Sequence, residues 1–118
     1  MLREREADRR SSPVARNASV LRCAACGHAI TDNSQRIAMT GAHVHVFANP
    51  AGIVYEIGCF ATAPGCSHVG AIEDAFSWFP GWSWQIATCA SCRVHLGWSY
   101  RNAGERFHGV IVAALREG

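Results

Sequence analysis

The sequence lacks any apolar run approaching the ~20 residues that a membrane-spanning helix requires. It also lacks the apolar core of a secretory signal after Met1, where the charged segment LREREADRR follows instead. Lysine is missing altogether, since all 11 basic residues are arginines, and nothing in the sequence gives this bias a functional meaning. We therefore expect a cytoplasmic protein that does not contact a membrane.

A basic surface is lacking from the greater part of the chain. Residues 1–22 hold six arginines and three acids, a net charge of +3, whereas residues 23–118 hold five arginines and six acids, a net charge of −1. The larger part therefore has no field that would attract nucleic acid. Residues 1–18 are charged and without periodicity, which predicts a flexible arm followed by one domain over residues 19–118.

Convincing helical periodicity is also missing from the domain, which favours an all-β fold. The turn signal NPAG lies between two apolar segments and predicts a hairpin over residues 43–60. Residues 64–70 are predicted as loop, and residues 72–76 as one helical turn at most. The predicted strands are residues 43–47, 53–60, 82–87, 94–100 and 107–115.

Six cysteines in a chain of this class favour metal ligands or free thiols over disulfides. Cys23 with Cys26, and Cys89 with Cys92, form two Cys-x-x-Cys units separated by 62 residues. Two such knuckles complete a tetrahedral four-thiolate site, closed to water and therefore structural. We expect one Zn²⁺ there, clamping the two ends of the domain, although spacing alone does not exclude iron. Neither unit opens a helix near a βαβ motif, which disfavours a redox role.

Three tryptophans fall within seven positions of the segment FSWFPGWSW, at Trp78, Trp82 and Trp84, and Trp98 follows on a later strand. They could fill an ordinary core. A pocket is favoured because the strands of Trp84 and Trp98 flank the second Cys-x-x-Cys unit, and because a tight turn lets Trp78 face Trp84. Indole planes around one gap would form an apolar slot for a flat or compact ligand, neutral or cationic.

Together these segments resemble the thalidomide-binding domain of cereblon, and more closely its stand-alone, single-domain bacterial homologues. The resemblance runs over about residues 21–115 and is carried by NPAG, FSWF-x-G-x-x-W, the second Cys-x-x-Cys and HLGW-x-Y in that order. It implies a β-tent, in which two antiparallel sheets meet at an angle at a zinc-pinned corner.

The resemblance also implies a ligand site. A glutarimide or related cyclic imide would lie in a cage of three tryptophans, its N–H donating to the Phe76 carbonyl and its carbonyl accepting from the Trp78 N–H. Trp82 would lie outside the cage. The implied ligand-binding residues are Asn49, Pro50, Tyr55, Phe76, Ser77, Trp78, Trp84, Trp98 and Tyr100.

Two positions depart from the animal pattern, because Phe76 and Tyr55 stand where animal cereblon has histidine. A side-chain contact at Phe76 is therefore in doubt, while the main-chain contact is retained. Beside the pocket domain we also expect neither the Lon-like domain nor the segment that docks a ubiquitin-ligase adaptor, so ligase function is not carried over.

We expect a monomeric binding module without turnover, for cyclic imides, uridine-like rings or peptides ending in a cyclised glutamine or asparagine. One alternative is an enzyme similar to methionine sulfoxide reductase B, which shares the zinc-pinned fold but needs a reactive cysteine on a late strand. No cysteine follows Cys92, and Cys59 and Cys66 are expected to be buried thiols. The other is a methylammonium reader, since Glu73 and Asp74 lie near the first tryptophan.

Overall fold

The computed structural model describes residues 20–118, so the predicted arm over residues 1–18 lies outside the described residues. Two 3-10 helices span Asn33–Gln35 and Val112–Ala114, and no helix in the described part of the chain is long and apolar enough to cross a membrane. The strands are β1 (Val20–Cys23), β2 (Ala29–Asp32), β3 (Val44–Ala48), β4 (Val54–Phe60), β5 (Cys66–Glu73), β6 (Ser83–Cys89), β7 (His95–Asn102), β8 (Glu105–Ile111) and β9 (Leu115–Glu117).

The strands form two antiparallel sheets, which confirms the predicted fold class. A small sheet has the order β9-β1-β2, and a large sheet has the order β3-β4-β8-β7-β6-β5. The two Cys-x-x-Cys units begin at the last residues of β1 and β6, one strand from each sheet. The four cysteines therefore lie where the small sheet meets the large one.

The hairpin predicted over residues 43–60 is confirmed. Strands β3 and β4 pair in register, with Phe47 opposite Tyr55. The Asn49 side chain closes the turn by accepting from the Ile53 N–H at 2.9 Å, and Gly52 supplies the left-handed backbone that the turn needs, with φ at 86°. Half-buried and exposed residues alternate along β3, which is why the alternating sequence predicts this strand.

Two predicted segments differ from the structure. The predictions of a loop at 64–70 and of a helical turn at 72–76 are wrong over Cys66–Glu73, because these residues form the edge strand β5. Its residues are mostly exposed and its pairing with β6 is irregular, so no alternation marks it. The strand predicted at 107–115 ends at Ile111, where the chain leaves the large sheet and reaches the small one.

Buried side chains form two clusters on opposite faces of the large sheet, since Phe107 and Ile111 on β8 belong to one cluster and Val110, which lies between them, to the other. The aromatic core consists of Ile57, Cys59, Phe79, Tyr100 and Phe107. The cysteine-end core consists of Leu21, Cys23, Ile30, Phe60, Ala63, Cys89, Leu96 and Val110.

Gly97 allows one strand to serve both cores. A Cβ at this position would lie 2.1 Å from the Gly109 carbonyl oxygen, so no other residue permits β7 and β8 to approach so closely. Leu96 on one side of it packs in the cysteine-end core, and Trp98 on the other side packs against the aromatic core. The close approach thus fixes where the tryptophan stands relative to the cysteines.

Candidate functional site

The four cysteines of the two Cys-x-x-Cys units meet, with all four Sγ atoms within 4.8 Å of one another. The Cys23 and Cys92 sulfurs are 3.8 Å apart, and the Cys26 and Cys89 sulfurs 3.6 Å. A tetrahedral ion with ligand bonds of about 2.3 Å would separate its thiolates by about 3.8 Å. The spacing of the sulfurs therefore fits a four-thiolate metal site, as the sequence predicts.

The two knuckles have the same backbone hydrogen bonds. The N–H of the first cysteine donates to the carbonyl five residues on, at 2.8 Å for Cys23 to His28 and 2.9 Å for Cys89 to Val94. The N–H four residues on returns to the first cysteine's carbonyl, from Gly27 at 2.8 Å and from Arg93 at 2.9 Å. That returning residue is left-handed in both, with φ at 84° for Gly27 and 70° for Arg93. Only the first knuckle has the glycine that this conformation favours.

A cavity of about 370 Å³ opens on the aromatic core. Eight of the nine predicted ligand-binding residues contribute to its wall, and Ser77 does not. Two further residues, which the resemblance did not supply, complete it. The lining residues are Asn49, Pro50, Tyr55, Phe76, Trp78, Trp84, Ile86, His95, Trp98 and Tyr100.

The indole planes of the cavity are held by backbone carbonyls and by one another. The Trp78 indole N–H donates to the Ala48 carbonyl at 3.0 Å, and the Trp84 indole N–H to the Ala75 carbonyl at 2.7 Å. The Trp98 ring meets Trp78 nearly edge-on, with centroids 4.8 Å apart. Because the polar edges of Trp78 and Trp84 are already bonded, these side chains offer a ligand mainly their π faces.

The chain turns sharply at the cavity mouth. Phe76 has a left-handed backbone with φ at 60°, and its side chain is 76% exposed. The Ser77 hydroxyl donates to the Phe79 carbonyl at 3.0 Å, which places Ser77 in the turn and outside the cavity wall. Within residues 20–118, the Phe76 carbonyl and the Trp78 main-chain N–H take part in no turn or loop hydrogen bond.

Tyr100 lies beneath the tryptophans and is almost fully buried. Its ring stacks on Phe107 with centroids 4.9 Å apart, and burial raises the pKa of its hydroxyl above the usual range. Trp82 packs edge-on against Phe107 at 4.9 Å and does not line the cavity. The cavity floor is therefore rigid and uncharged.

Ile86 and His95 line the cavity although sequence reasoning missed them. Ile86 follows Trp84 by two positions on β6 and is paired with Trp98, so the period of a strand could have identified it. His95 precedes Trp98 by three, an odd offset that period-two reasoning rejects, but a register shift beside Thr88 changes the alternation. Its ring meets Trp98 edge-on at 4.8 Å, and its Nε2 donates to the Gly97 carbonyl at 3.0 Å.

The two cysteines outside the knuckles are poor nucleophiles. Burial raises the pKa of Cys59 to about 11 and that of Cys66 to about 12, so both remain thiols near neutral pH. Neither residue lines the aromatic cavity. This arrangement does not favour the reductase alternative.

Negative charge is also absent from the cavity wall, which contains no aspartate or glutamate among the residues described. Of the two acids that suggested a methylammonium reader, Asp74 accepts a hydrogen bond from the Ser83 hydroxyl, and Glu73 is exposed on β5. A cationic ligand would therefore find aromatic faces but no counter-charge, and the arrangement does not favour that alternative.

No protein-family model matches the chain. Among curated proteins it is similar to cereblon of Danio rerio, with 34% identity over 58% of this chain and 17% of the relative. Cereblon of Xenopus tropicalis is 35% identical over 59% of this chain and 17% of the relative. Cereblon of Drosophila virilis is 29% identical over 85% of this chain and 17% of the relative. The matched part thus spans about 17% of the length of these relatives.

Proposed function

Because the chain carries a cereblon-like domain, we propose that its aromatic cavity binds small ligands that contain a cyclic imide. Glutarimides, of which thalidomide is one, are the proposed class, together with uridine-like rings and peptides ending in a cyclised glutamine or asparagine. Binding occurs without turnover. The observation that carries this proposal is a pair of main-chain groups at the cavity mouth, the Phe76 carbonyl and the Trp78 N–H, which have no turn or loop partner in the described part of the chain.

An imide presents a donor flanked by two acceptors along one edge. The Phe76 carbonyl and the Trp78 N–H have no turn or loop partner within residues 20–118, so one can accept from the imide N–H while the other donates to an imide carbonyl. Neighbouring groups of the same loop are tied down, since the Ala75 carbonyl accepts from the Trp84 indole and Ser77 bonds within the turn. The free pair is therefore held in position before a ligand arrives.

The remainder of an imide ring consists mostly of C–H groups, which suit the faces of Trp78, Trp84 and Trp98. A small ring gains affinity only when it is nearly enclosed, and the three indoles with the Tyr100 floor supply that enclosure. Exposed Phe76 and Pro50 mark the open side, through which a substituent or a peptide chain can leave the cavity. The same opening would allow either a free small molecule or a modified chain terminus to enter the cavity.

We also propose that the four-thiolate site holds one structural Zn²⁺ and that the protein acts as a cytoplasmic monomer. Two of the sulfur pairs are 3.6 and 3.8 Å apart, close to the separation that a tetrahedral zinc site requires, and all six cysteines are free of disulfides. Zinc needs no open coordination position here, since four thiolates complete its shell. Its chemistry is structural, and no step of ligand recognition depends on it.

Methylation of the imide nitrogen tests the proposal. Methylation removes the donor that Phe76 would accept and leaves that carbonyl without a partner in a dry slot, which costs about 1–3 kcal/mol before any clash. We expect N-methyl glutarimide to bind at least about a hundredfold more weakly than glutarimide, about 2.7 kcal/mol. Tryptophan emission follows the titration, because a ligand would contact three of the four indoles. Equal affinity for both compounds would refute imide recognition while leaving a hydrophobic pocket.

A further inference from the structure

A basic cluster lies on the side of the large sheet opposite the cavity. Tyr100 on β7 is paired with Phe107 on β8, and both rings point into the aromatic core. Side chains alternate along a strand, so the flanking residues emerge on the other side. The register pairs them as Ser99 with His108 and Arg101 with Arg106.

A histidine from the sheet's edge completes this cluster. His68 on β5 brings its Nε2 to 2.8 Å from the Nε2 of His108 on β8, although β6 and β7 lie between these strands. Ala87 and Gly97 are the paired residues beside His68 along the sheet, and both are too small to obstruct the contact. The two rings therefore close over the centre of this side of the sheet.

The cluster contains polar atoms that the described part of the chain does not satisfy. The Ser99 Oγ, the His108 Nδ1 and the Arg101 Nε are buried without a hydrogen-bond partner. Ser99 is fully buried and His108 is 4% exposed, so both side chains lie beneath the surface. Of these three residues Arg101 also lines a surface groove, so its unpaired Nε–H is a donor that an external acceptor could satisfy.

The charges of the cluster have one predominant sign. Burial lowers the pKa of His68, and the neighbouring charges of Arg106 and Arg101 lower it further. Burial likewise lowers the pKa of His108, to about 4, with contributions from His68 and Arg106. Both guanidinium groups are therefore close enough to act on the histidine pair. Glu105 is the one acid that shares their groove, which leaves a net positive charge.

We propose that this side of the sheet binds an oxyanion of the phosphate type, held by Arg101 and Arg106. Both arginines line an open groove of about 410 Å³ together with Ser83, Asn102 and Glu105. Two planar guanidinium forks match the oxygens of a phosphate, which carries enough charge to engage both. Free phosphate and a phosphorylated molecule present the same group to this groove. This site is separate from the imide cavity and does not depend on it.

Titration with inorganic phosphate at constant ionic strength, on the full chain, tests the proposal. The imidazole NMR signals of His68 and His108 should shift in a saturable way, and chloride should produce no such shift. Arg106→Gln, at an exposed position, should weaken phosphate binding at least about tenfold. Arg116→Gln removes the same charge from the small sheet and is the matched control, with affinity expected to be unchanged.

Three outcomes would overturn the proposal: no saturation, an equal response to chloride, or equal weakening by Arg106→Gln and Arg116→Gln. Each would show general screening of charge. Arg101→Gln provides a second variant, read only if its thermal transition is intact, and should weaken binding like Arg106→Gln. Phosphoserine, compared with phosphate, then separates the two sources, since tighter binding of phosphoserine identifies a phosphorylated molecule and weaker binding identifies the free ion.

Discussion

At the cysteine end, four sulfurs within 4.8 Å are presented by two knuckles with matching hydrogen bonds, whereas at the aromatic end rings from several elements pack around a cavity of about 370 Å³. The first arrangement is specified by short, local motifs. The second depends on residues from the β3–β4 hairpin, the turn at Phe76 and strands β6 and β7. One end thus has a geometry suited to holding an ion and the other leaves space for a ligand.

Metal removal should have the largest effect, and it tests whether the aromatic end stays folded when the cysteine end holds no ion. We expect a strong chelator to unfold both ends, because β7 contributes Leu96 to one core and Trp98 to the other. A bound ion would also close a chain segment of 62 residues, whose ordering entropy would otherwise be uncompensated. Metal analysis should give one zinc per chain, and the thermal transition should disappear on chelation. An unchanged transition would show that the aromatic end is independent.

Acid should act on the protein through two different kinds of group. Metal thiolates are lost as they protonate, and His108 adds a second sensitivity on the large sheet. Its pKa is lowered to about 4 in the folded protein, so between pH 6.5 and 4 the unfolded chain binds a proton that the folded chain does not. Stability therefore falls as the pH falls through this window, by on the order of 2–3 kcal/mol for this group.

The variant His108→Gln separates the two contributions. Cysteine protonation is common to both proteins, so the difference between their stability–pH curves belongs to the histidine. Denaturant unfolding at pH 7, 6, 5 and about 4.5 should show a shallower decline for the variant. Parallel curves would show that His108 does not contribute to the acid sensitivity.

Tryptophan substitutions should affect ligand binding at the aromatic end without involving the cysteine end. Trp98→Ala and Trp84→Ala each remove one wall of the cavity and should weaken glutarimide binding by about 2 kcal/mol or more, roughly thirtyfold. Trp82→Ala is the matched control, because Trp82 packs on Phe107 outside the cavity. Titration followed by calorimetry, on variants with an intact thermal transition, measures this. Similar losses at all three positions would mean that the tryptophans only fill a core.

The smallest effect should distinguish the two knuckles from each other. Arg93 holds a left-handed conformation that costs a non-glycine residue about 1–2 kcal/mol, so Arg93→Gly should raise stability by up to about 1 kcal/mol after the entropy of glycine is subtracted. Gly27→Ala should lower it, since the same conformation is required and a Cβ would lie 3.0 Å from the Arg116 guanidinium. Thermal unfolding of both variants measures this. A similar change in the melting temperature of both variants would show that the two knuckles do not differ in backbone strain.

Local signals account for what the sequence predicted well. The Cys-x-x-Cys spacing and the NPAG turn are each short, so the knuckles and the hairpin were recognisable without knowledge of the remainder. The tryptophan positions that line the cavity came from the resemblance, because residue types alone did not distinguish a pocket from a core. The identity of the ligand remains a proposal.

Signals that depend on distant pairing were not accessible. Strand β5 shows no alternation of apolar and polar residues because it is an exposed edge strand. The apolar sequence after Phe107 continues beyond the end of β8 because its residues pack against both cores in turn. His95 joins the cavity only because a register shift beside Thr88 changes which side it faces. His68 and His108 are 40 residues apart and meet only through the folded sheet.

The burial of the four thiols sets a route for metal exchange. In each knuckle the first cysteine, Cys23 or Cys89, is buried, and the second, Cys26 or Cys92, is exposed. If an ion is bound there, an incoming thiol or chelator would meet the second cysteines first, while two covered thiolates would still hold the ion. We expect exchange to proceed stepwise by ligand substitution, at a rate that depends on the concentration of the acceptor rather than on the rate of unfolding. A metal that is essential to the fold would thus be kinetically accessible from one side.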